Sequence, residues 1–519
     1  MPHYGYLGKE KLLLNLEQMK KLLAVLLISL SALAQTPQVK TKLGLLSGEK
    51  IGTIQRYLGI PFAQPPVGDL RWKAPQPLST WQGVKSCVAY GPSPMQAEPK
   101  PFQFWSEEFL IPKSPISEDC LYLNVWSDTQ TKSPKPVLVY IYGGGFRSGG
   151  AACPIYDGAA TASKGVVFVS INYRVGTFGF LAHPELSKES AAGVSGNYGL
   201  LDMIAALKWV NENIAAFGGD PKQVTIAGQS AGASAVNYLC ASPLAKGLFQ
   251  RAIAESGSAM IRSATRPTLT QASAENGGLE FAQKVGAKNL AELRAKSAAE
   301  ILAGPGGLSS PYLDGYVEPL NMLEAYKQHQ NNEVDLLMGW NADDLVMNRW
   351  LSATEYQQNL SKKYGAKATE LLTHYPATNE AEAIASQRNL SRDESFGAGV
   401  FFWAKTQLAH GKSPVYVYNF NRQVPGYTPE SRNGAFHTGE VPYAYDNLST
   451  VHRPFEAVDF QLAKQIAAYW VNFAKTGNPN GKGLPEWPKF QSGNQIMQLD
   501  VETKASTVKN PQALELIAQ

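Results

Sequence analysis

Apolar residues run unbroken through several short stretches of the chain: 137–142 (Val-Leu-Val-Tyr-Ile-Tyr), 166–169 (Val-Val-Phe-Val) and 224–227 (Val-Thr-Ile-Ala). Runs of this length, rich in β-branched and aromatic side chains and without polar alternation, predict strands buried on both faces, as parallel strands are. Between the second and third runs the period changes. Leu200, Ile204, Leu207, Val210 and Ile214 recur every three or four residues, which predicts a helix stopped near Gly218-Gly219. Strand, helix, strand is the unit of an α/β sheet, so the fold class is α/β with a large, mostly parallel sheet flanked by helices. Two later runs, 336–338 (Leu-Leu-Met) and 415–418 (Val-Tyr-Val-Tyr), predict further strands, separated from the first set by a polar, helix-patterned stretch over 272–330. Proline and glycine crowd 59–115, which reads as surface loop and gorge wall. No repeat, low-complexity tract or linker interrupts the pattern, so 35–519 reads as one large domain.

Composition supports a folded chain: of 519 residues, 44% are hydrophobic and 17% charged, too apolar and too weakly charged for disorder. The formal charge of +4 is half accounted for by residues 1–34, where Lys9, Lys11, Lys20 and Lys21 outnumber Glu10 and Glu17. No basic run is interleaved with aromatics, which argues against nucleic acid as a partner. Met19 opens a segment of two lysines, an apolar stretch over 22–33 and a small-residue end at Ala32-Leu33-Ala34, the pattern of a signal peptide. The apolar stretch would span only about 18 Å as a helix, short of the ~30 Å hydrocarbon core, so a stable membrane anchor is not expected. Residues 1–34 therefore read as an upstream extension and leader with Met19 the expected start, cleaved near Ala34 to release a secreted or periplasmic protein. Export permits disulfides, but the spacing of Cys87, Cys120, Cys153 and Cys240 pairs none of them.

The chemistry is concentrated in four places. Gly228-Gln229-Ser230-Ala231-Gly232 fits G-x-S-x-G directly between a strand and a helical pattern at 233–239. A serine on such a turn presents its hydroxyl at the carboxyl edge of a sheet, as a nucleophile must. Tyr142-Gly143-Gly144-Gly145-Phe146 follows the strand at 137–141, and its bare N–H groups, with that of Ala231, can meet the oxyanion formed when an ester carbonyl is attacked. A neutral serine needs a base, and His437, in the glycine-flanked loop Gly434-Ala435-Phe436-His437-Thr438-Gly439, falls last in the chain order nucleophile, acid, base of this architecture. For the acid, Asp343 and Asp344 both follow the strand at 336–338 and either could serve. None of these steps calls for a metal or an organic cofactor.

Longer motifs accompany these residues: Tyr57-Leu58-Gly59-Ile60-Pro61-Phe62-Ala63, Pro65-Pro66-Val67-Gly68-Asp69-Leu70-Arg71-Trp72, Ser117-Glu118-Asp119-Cys120-Leu121-Tyr122-Leu123-Asn124-Val125, Asn172-Tyr173-Arg174-Val175-Gly176 and Gly196-Asn197-Tyr198-Gly199. Through them the chain resembles the type-B carboxylesterases, the carboxylesterase and cholinesterase group of the α/β-hydrolases, in a bacterial-type secreted form. The resemblance implies an α/β-hydrolase fold with helical insertions forming a gorge, a catalytic triad of Ser230, Asp344 and His437, and an oxyanion hole at Gly144, Gly145 and Ala231. It also implies a disulfide between Cys87 and Cys120, a buried ion pair of Arg71 with Glu118, and a supporting role for Ser256 near the base; Gln229, beside the nucleophile, and Asp343, beside Asp344, are read as further residues around the site. Three departures stand out. Asp344 stands where glutamate is usual, Tyr142 replaces the usual histidine before the glycines, and Gln229 replaces a common glutamate, which removes a reason to bind cationic esters. The expected function is hydrolysis of small to medium, uncharged esters; a non-catalytic binding module and a hydrolase of amides or polycarboxylate esters are the alternatives.

Overall fold

The computed structural model describes residues 36–130, 133–261, 269–306, 310–344, 350–428 and 433–518. The leader read over 1–34 lies outside them. One eleven-stranded sheet carries the fold, built in chain order from β1 (Glu49–Ile51), β2 (Ile54–Pro61), β3 (Tyr122–Asp128), β4 (Lys135–Ile141), β5 (Val167–Ile171), β6 (Gly219–Gln229), β7 (Arg251–Glu255), β8 (Asp335–Asn341), β9 (Val415–Phe420), β10 (Gln495–Leu499) and β11 (Lys504–Thr507). Their order across the sheet is β11-β10-β9-β8-β7-β6-β4-β5-β3-β2-β1. From β5 to β10 every neighbour is parallel, while β3, β2, β1 and β11 join antiparallel at the margins.

The runs read as buried strands are strands, and burial explains why. Val137, Leu138, Val139, Tyr140 and Ile141 in β4 are all buried, as are Val167, Phe168 and Val169 in β5, because helices cover both faces of the sheet. The helix predicted around Leu200 to Ile214 is α1 (Tyr198–Asn213), and Gly218, at φ +82°, ends the turn that follows it. α2 (Ala231–Ala241) follows β6, α3 (Ala398–His410) precedes β9, and α4 (Val441–Ala444) and α5 (Ala457–Thr476) come after it. The polar stretch over 272–330 is broken into Gln271–Lys284, Leu290–Ala295, Ala298–Ala303 and Met322–Lys327. Within the region read as loop, Gly59, Ile60 and Pro61 instead close β2, where Ile60 and Pro61 pair with Leu123 and Tyr122. Among the described residues no helix is long and apolar enough to cross a membrane.

The expected disulfide is not formed. Cys87 and Cys120 are separate buried thiols, as are Cys153 and Cys240. The Cys87 carbonyl accepts from Leu58 N–H, whereas the chain beside Cys120 meets the same strand at Phe62, whose N–H donates to Leu121. Those attachment points are four residues apart, roughly 10–13 Å along an extended strand. A disulfide needs Cα atoms within about 7 Å, so the sheet register itself keeps the pair apart. Cys120 shares a small cavity with Met95, Trp72 and Arg71, while Cys87 lies by Tyr57 and Lys85, its thiol pushed up to about 11 by burial.

Arg71 and Glu118 do pair. Arg71 Nε donates to Glu118 Oε2 at 2.6 Å, Nη2 to Oε1, and Nη1 to the carbonyls of Arg294 and Lys296 at 3.0 and 2.6 Å. The guanidinium thus ties the segment before β3 to the helical insertion between β7 and β8.

Candidate active site

Because the central strands are parallel, the segments that leave β4, β6, β8 and β9 emerge at one edge of the sheet, and all four candidate motifs follow these strands. The elbow comes first. Ser230 lies between β6 and α2 at φ 58° and ψ −123°, a conformation L-residues rarely adopt. Its N–H donates to the Glu255 carbonyl at 2.8 Å and its carbonyl accepts from Ser234 N–H at 2.9 Å. The turn closes only because its neighbours lack side chains: a Cβ on Gly232 would stand 2.1 Å from the Ile141 carbonyl oxygen. Backbone strain of this kind persists where surrounding structure enforces it.

The glycine loop after β4 lies against this turn. A Cβ on Gly143 would meet the Gln229 carbonyl at 2.7 Å and Ser230 Cβ at 3.0 Å. Gly144 and Gly145 follow at φ +105° and +64°, and both line the same cavity as Ser230 and Ala231. Tyr142 points elsewhere. Its ring stacks on Tyr173 at 4.3 Å, its hydroxyl donates to the Tyr173 carbonyl at 2.6 Å, and Tyr173 returns the bond to Tyr142 at 3.0 Å.

His437 is buried on the loop between β9 and α4. Ser230 Oγ stands 2.8 Å from its Nε2, and its Nδ1 stands 2.5 Å from Asp344 Oδ1. Asp344 is fully buried, and its second oxygen accepts from Asn341 N–H at 3.0 Å. Asp343 takes a different place: its Oδ2 accepts from Ala435 N–H at 2.9 Å and its N–H donates to the Ala435 carbonyl at 3.1 Å. It therefore staples the acid's loop to the histidine's loop and leaves the imidazole to Asp344. Gln229 lies beside the imidazole with Nε2 3.3 Å from His437 Nε2. Ser256 is not joined to the base: its Oγ is buried without a hydrogen-bond partner among protein atoms, and its N–H donates to Gly339.

Sequence reading missed four contributors. Phe396, on a π-helical turn (Asp393–Gly397), stacks on the His437 ring at 4.4 Å and 17°. Trp105 meets the same ring edge-on at 6.2 Å and donates to Thr438 Oγ1 at 3.3 Å. Glu440, three residues after the histidine, accepts from the Asn341 amide, and that amide also holds the Phe436 carbonyl at 2.8 Å. Glu255 ends β7 beside Ser256. A π-bulge and buried carboxylates carry no local pattern to find; only the closeness of Glu440 to His437 was visible in the chain.

The cavity over Ser230 and His437 has a volume of about 780 Å³ and is walled by Phe102, Trp105, Phe109, Ile111, Phe146 and Phe396. Its size and apolar walls suit a small organic molecule. Ser230, His437, Gly144 and Gly145 all line this cavity, so a molecule bound in it meets the serine hydroxyl and the glycine loop together.

The chain's relatives agree with this chemistry. The carboxylesterase family profile matches residues 35–516. The chain is 38% identical over 493 residues to the fumonisin B1 esterase of Sphingopyxis macrogoltabida, covering 89% of this chain and 87% of that protein. It is 34% identical over 490 residues to the para-nitrobenzyl esterase of Bacillus subtilis, covering 89% of this chain and 95% of that protein. A solved p-nitrobenzyl esterase structure superposes with a TM-score of 0.77 at 31% identity, covering 93% of this chain and all of that one. The chain belongs to the carboxylesterase family and is a serine carboxylic ester hydrolase of the α/β-hydrolase fold.

Proposed function

We propose that Ser230, His437 and Asp344 are the catalytic triad, acting through an acyl-enzyme on small to medium, uncharged esters. The observation that carries this reading is the unbroken line from Ser230 Oγ to His437 Nε2 at 2.8 Å and from Nδ1 to Asp344 at 2.5 Å. His437 Nε2 takes the hydroxyl proton as Oγ bonds to the ester carbon, and Asp344 holds Nδ1–H and stabilises the resulting imidazolium. The carbonyl oxygen becomes an oxyanion before the N–H groups of Gly144, Gly145 and Ala231, each such donor worth about 10²–10³ in rate. When the carbon–oxygen bond breaks, the imidazolium gives its proton to the leaving alcohol; water, deprotonated by His437, then releases the acid and restores Ser230. Residues 1–34 act as the leader of an exported enzyme, and residues 35–519 work as one domain.

Lys100 and Arg147 also line the cavity, alongside Glu98. This favours a second reading, in which the ester carries carboxylate groups. Turnover of p-nitrophenyl esters of increasing chain length, set against carboxylate-bearing esters of the same length, separates the two: faster hydrolysis of the charged series excludes the uncharged class. Ser230→Ala is expected to lower ester hydrolysis by at least ~10⁴-fold in a folded protein, and retained turnover would reject the triad.

A further inference from the structure

Two buried glutamates that the mechanism does not use share a region with Asp344. Glu255 is fully buried at the end of β7, and its carbonyl holds the N–H of Ser230. Its Oε1 accepts from the Tyr445 hydroxyl at 2.9 Å and from Trp470 Nε1 at 2.6 Å, while Oε2 has no partner among protein atoms. Glu440, also buried, receives the Asn341 amide on Oε2 and leaves Oε1 without a partner. Glu255 and Asp344 both act on Glu440, and all three carboxyls act on the buried Tyr418 hydroxyl. The titratable groups facing Glu255 come from five segments: Tyr140 on β4, Tyr156 on the turn after the glycine loop, Tyr418 on β9, Glu440 on the histidine loop and Tyr445 after α4. No lysine or arginine is among the groups that shift Glu255 or Glu440. Asp344 ties this cluster to His437, whose Nδ1 stands 2.5 Å from its Oδ1.

Three buried carboxylates with so little compensation cannot all be charged, because burial penalises each anion and each anion penalises the others. Asp344 has the histidine and an N–H donor, so the protons fall to the glutamates. Burial first, then Asp344 and Glu255, hold Glu440 well above the usual carboxylate range. Glu255 is pushed up to about 7 by burial, against the opposing pull of the Trp470 and Tyr445 donors. The two therefore behave differently: one keeps its proton, the other sits at the edge of losing it.

We propose that Glu255 is a positioning residue of the esterase site: Glu440 remains a neutral acid, and the carboxyl of Glu255 changes between neutral and anionic forms in the working pH range, its charge supporting the imidazolium that forms on His437. This rests on the triad assignment above. The sign follows from the charge. An anion in this cluster stabilises the positive charge that develops on the imidazole during attack, so the anionic form of Glu255 favours the reaction and the neutral form does not.

The test is the pH profile of kcat/KM for p-nitrophenyl acetate with wild type and Glu255→Gln. The amide is expected to move the acid limb down by roughly half a pH unit and to lower kcat about three- to tenfold at about pH 8, with KM little changed. An unmoved limb overturns the proposal. Glu440→Gln replaces a group already neutral and is expected to move the limb less; the reverse order also overturns it. Two readouts need no turnover. In a Ser230→Ala background, infrared titration should show a protonated carboxyl band fading with a midpoint near 7, and losing this band in Glu255→Gln assigns it; no such band overturns the proposal. Glu255 holds its proton in the fold above its ordinary value of 4.5, so its contribution to stability falls as pH rises between 4.5 and about 7. Glu255→Gln should accordingly flatten the decline in Tm across that window, and an unchanged slope counts against the proposal. If Ser230→Ala keeps its turnover, the triad fails while the infrared titration still reports on Glu255.

Discussion

The turn that carries Ser230 and the loops that carry His437 and Asp344 meet within 3 Å of one another yet are held by different means. The elbow is steric and local: β6, a strained serine and α2 follow in sequence, and Gly232 passes the Ile141 carbonyl where no Cβ fits. The other half is stitched across the chain. His437 and Asp344 are 93 residues apart, and their loops are joined by Asp343 to Ala435 and by Asn341 to Phe436 and Glu440. A nucleophile on a rigid turn needs its base delivered to it, so small changes in the stapling bonds should act on rate more gradually than changes at the turn.

That contrast can be broken in graded steps. Asp344→Asn keeps the shape but disfavours the tautomer with Nδ1–H toward the acid; kcat is expected to fall by about 10⁴-fold in steady-state ester hydrolysis. Gly232→Ala forces the elbow away from β4, and a displacement near 1 Å at reacting atoms should lower kcat by about 10²-fold, with a lower Tm in thermal melts. Asp343→Ala removes only a staple: kcat should fall about tenfold and stability by ~1.5–3 kcal/mol in denaturant titration. A loss as large as that of Asp344→Asn would mean the two aspartates share the acid's role. Glu118→Gln, remote from the cavity, should cost roughly 3 kcal/mol by leaving Arg71 without its charge partner, while kcat of the folded enzyme changes little. Smallest of all, a thiol reductant should leave Tm unmoved, because Cys87 and Cys120 are not joined; a clear drop would show a cross-link that the register of β2 disfavours.

The parts legible in the chain were those whose cause is local. Unbroken apolar runs marked β4, β5 and β6 because strands covered on both faces admit few polar residues, and Gly-x-Ser-x-Gly between a strand and a helix marked the elbow because that turn excludes side chains. The glycine loop was legible for the same reason. Phe396 and Glu255 were not, since a ring stacked on an imidazole and a carboxyl buried among tyrosines acquire meaning only from neighbours far away in sequence. Cys87 and Cys120 show the opposite error: the family resemblance implied a bond that pairing at Leu58 and Phe62 holds apart.

By itself the sequence determined the α/β class, the order of the candidate nucleophile, acid and base along the chain, and the turns where glycine is required, all consequences of periodicity and of steric limits on a few adjacent residues. The tertiary structure alone decided which of two adjacent aspartates faces His437, which cysteines stay apart, and which glutamates are buried beside the triad. Those outcomes depend on distances between segments tens to hundreds of residues apart, and such distances are set by sheet register and packing.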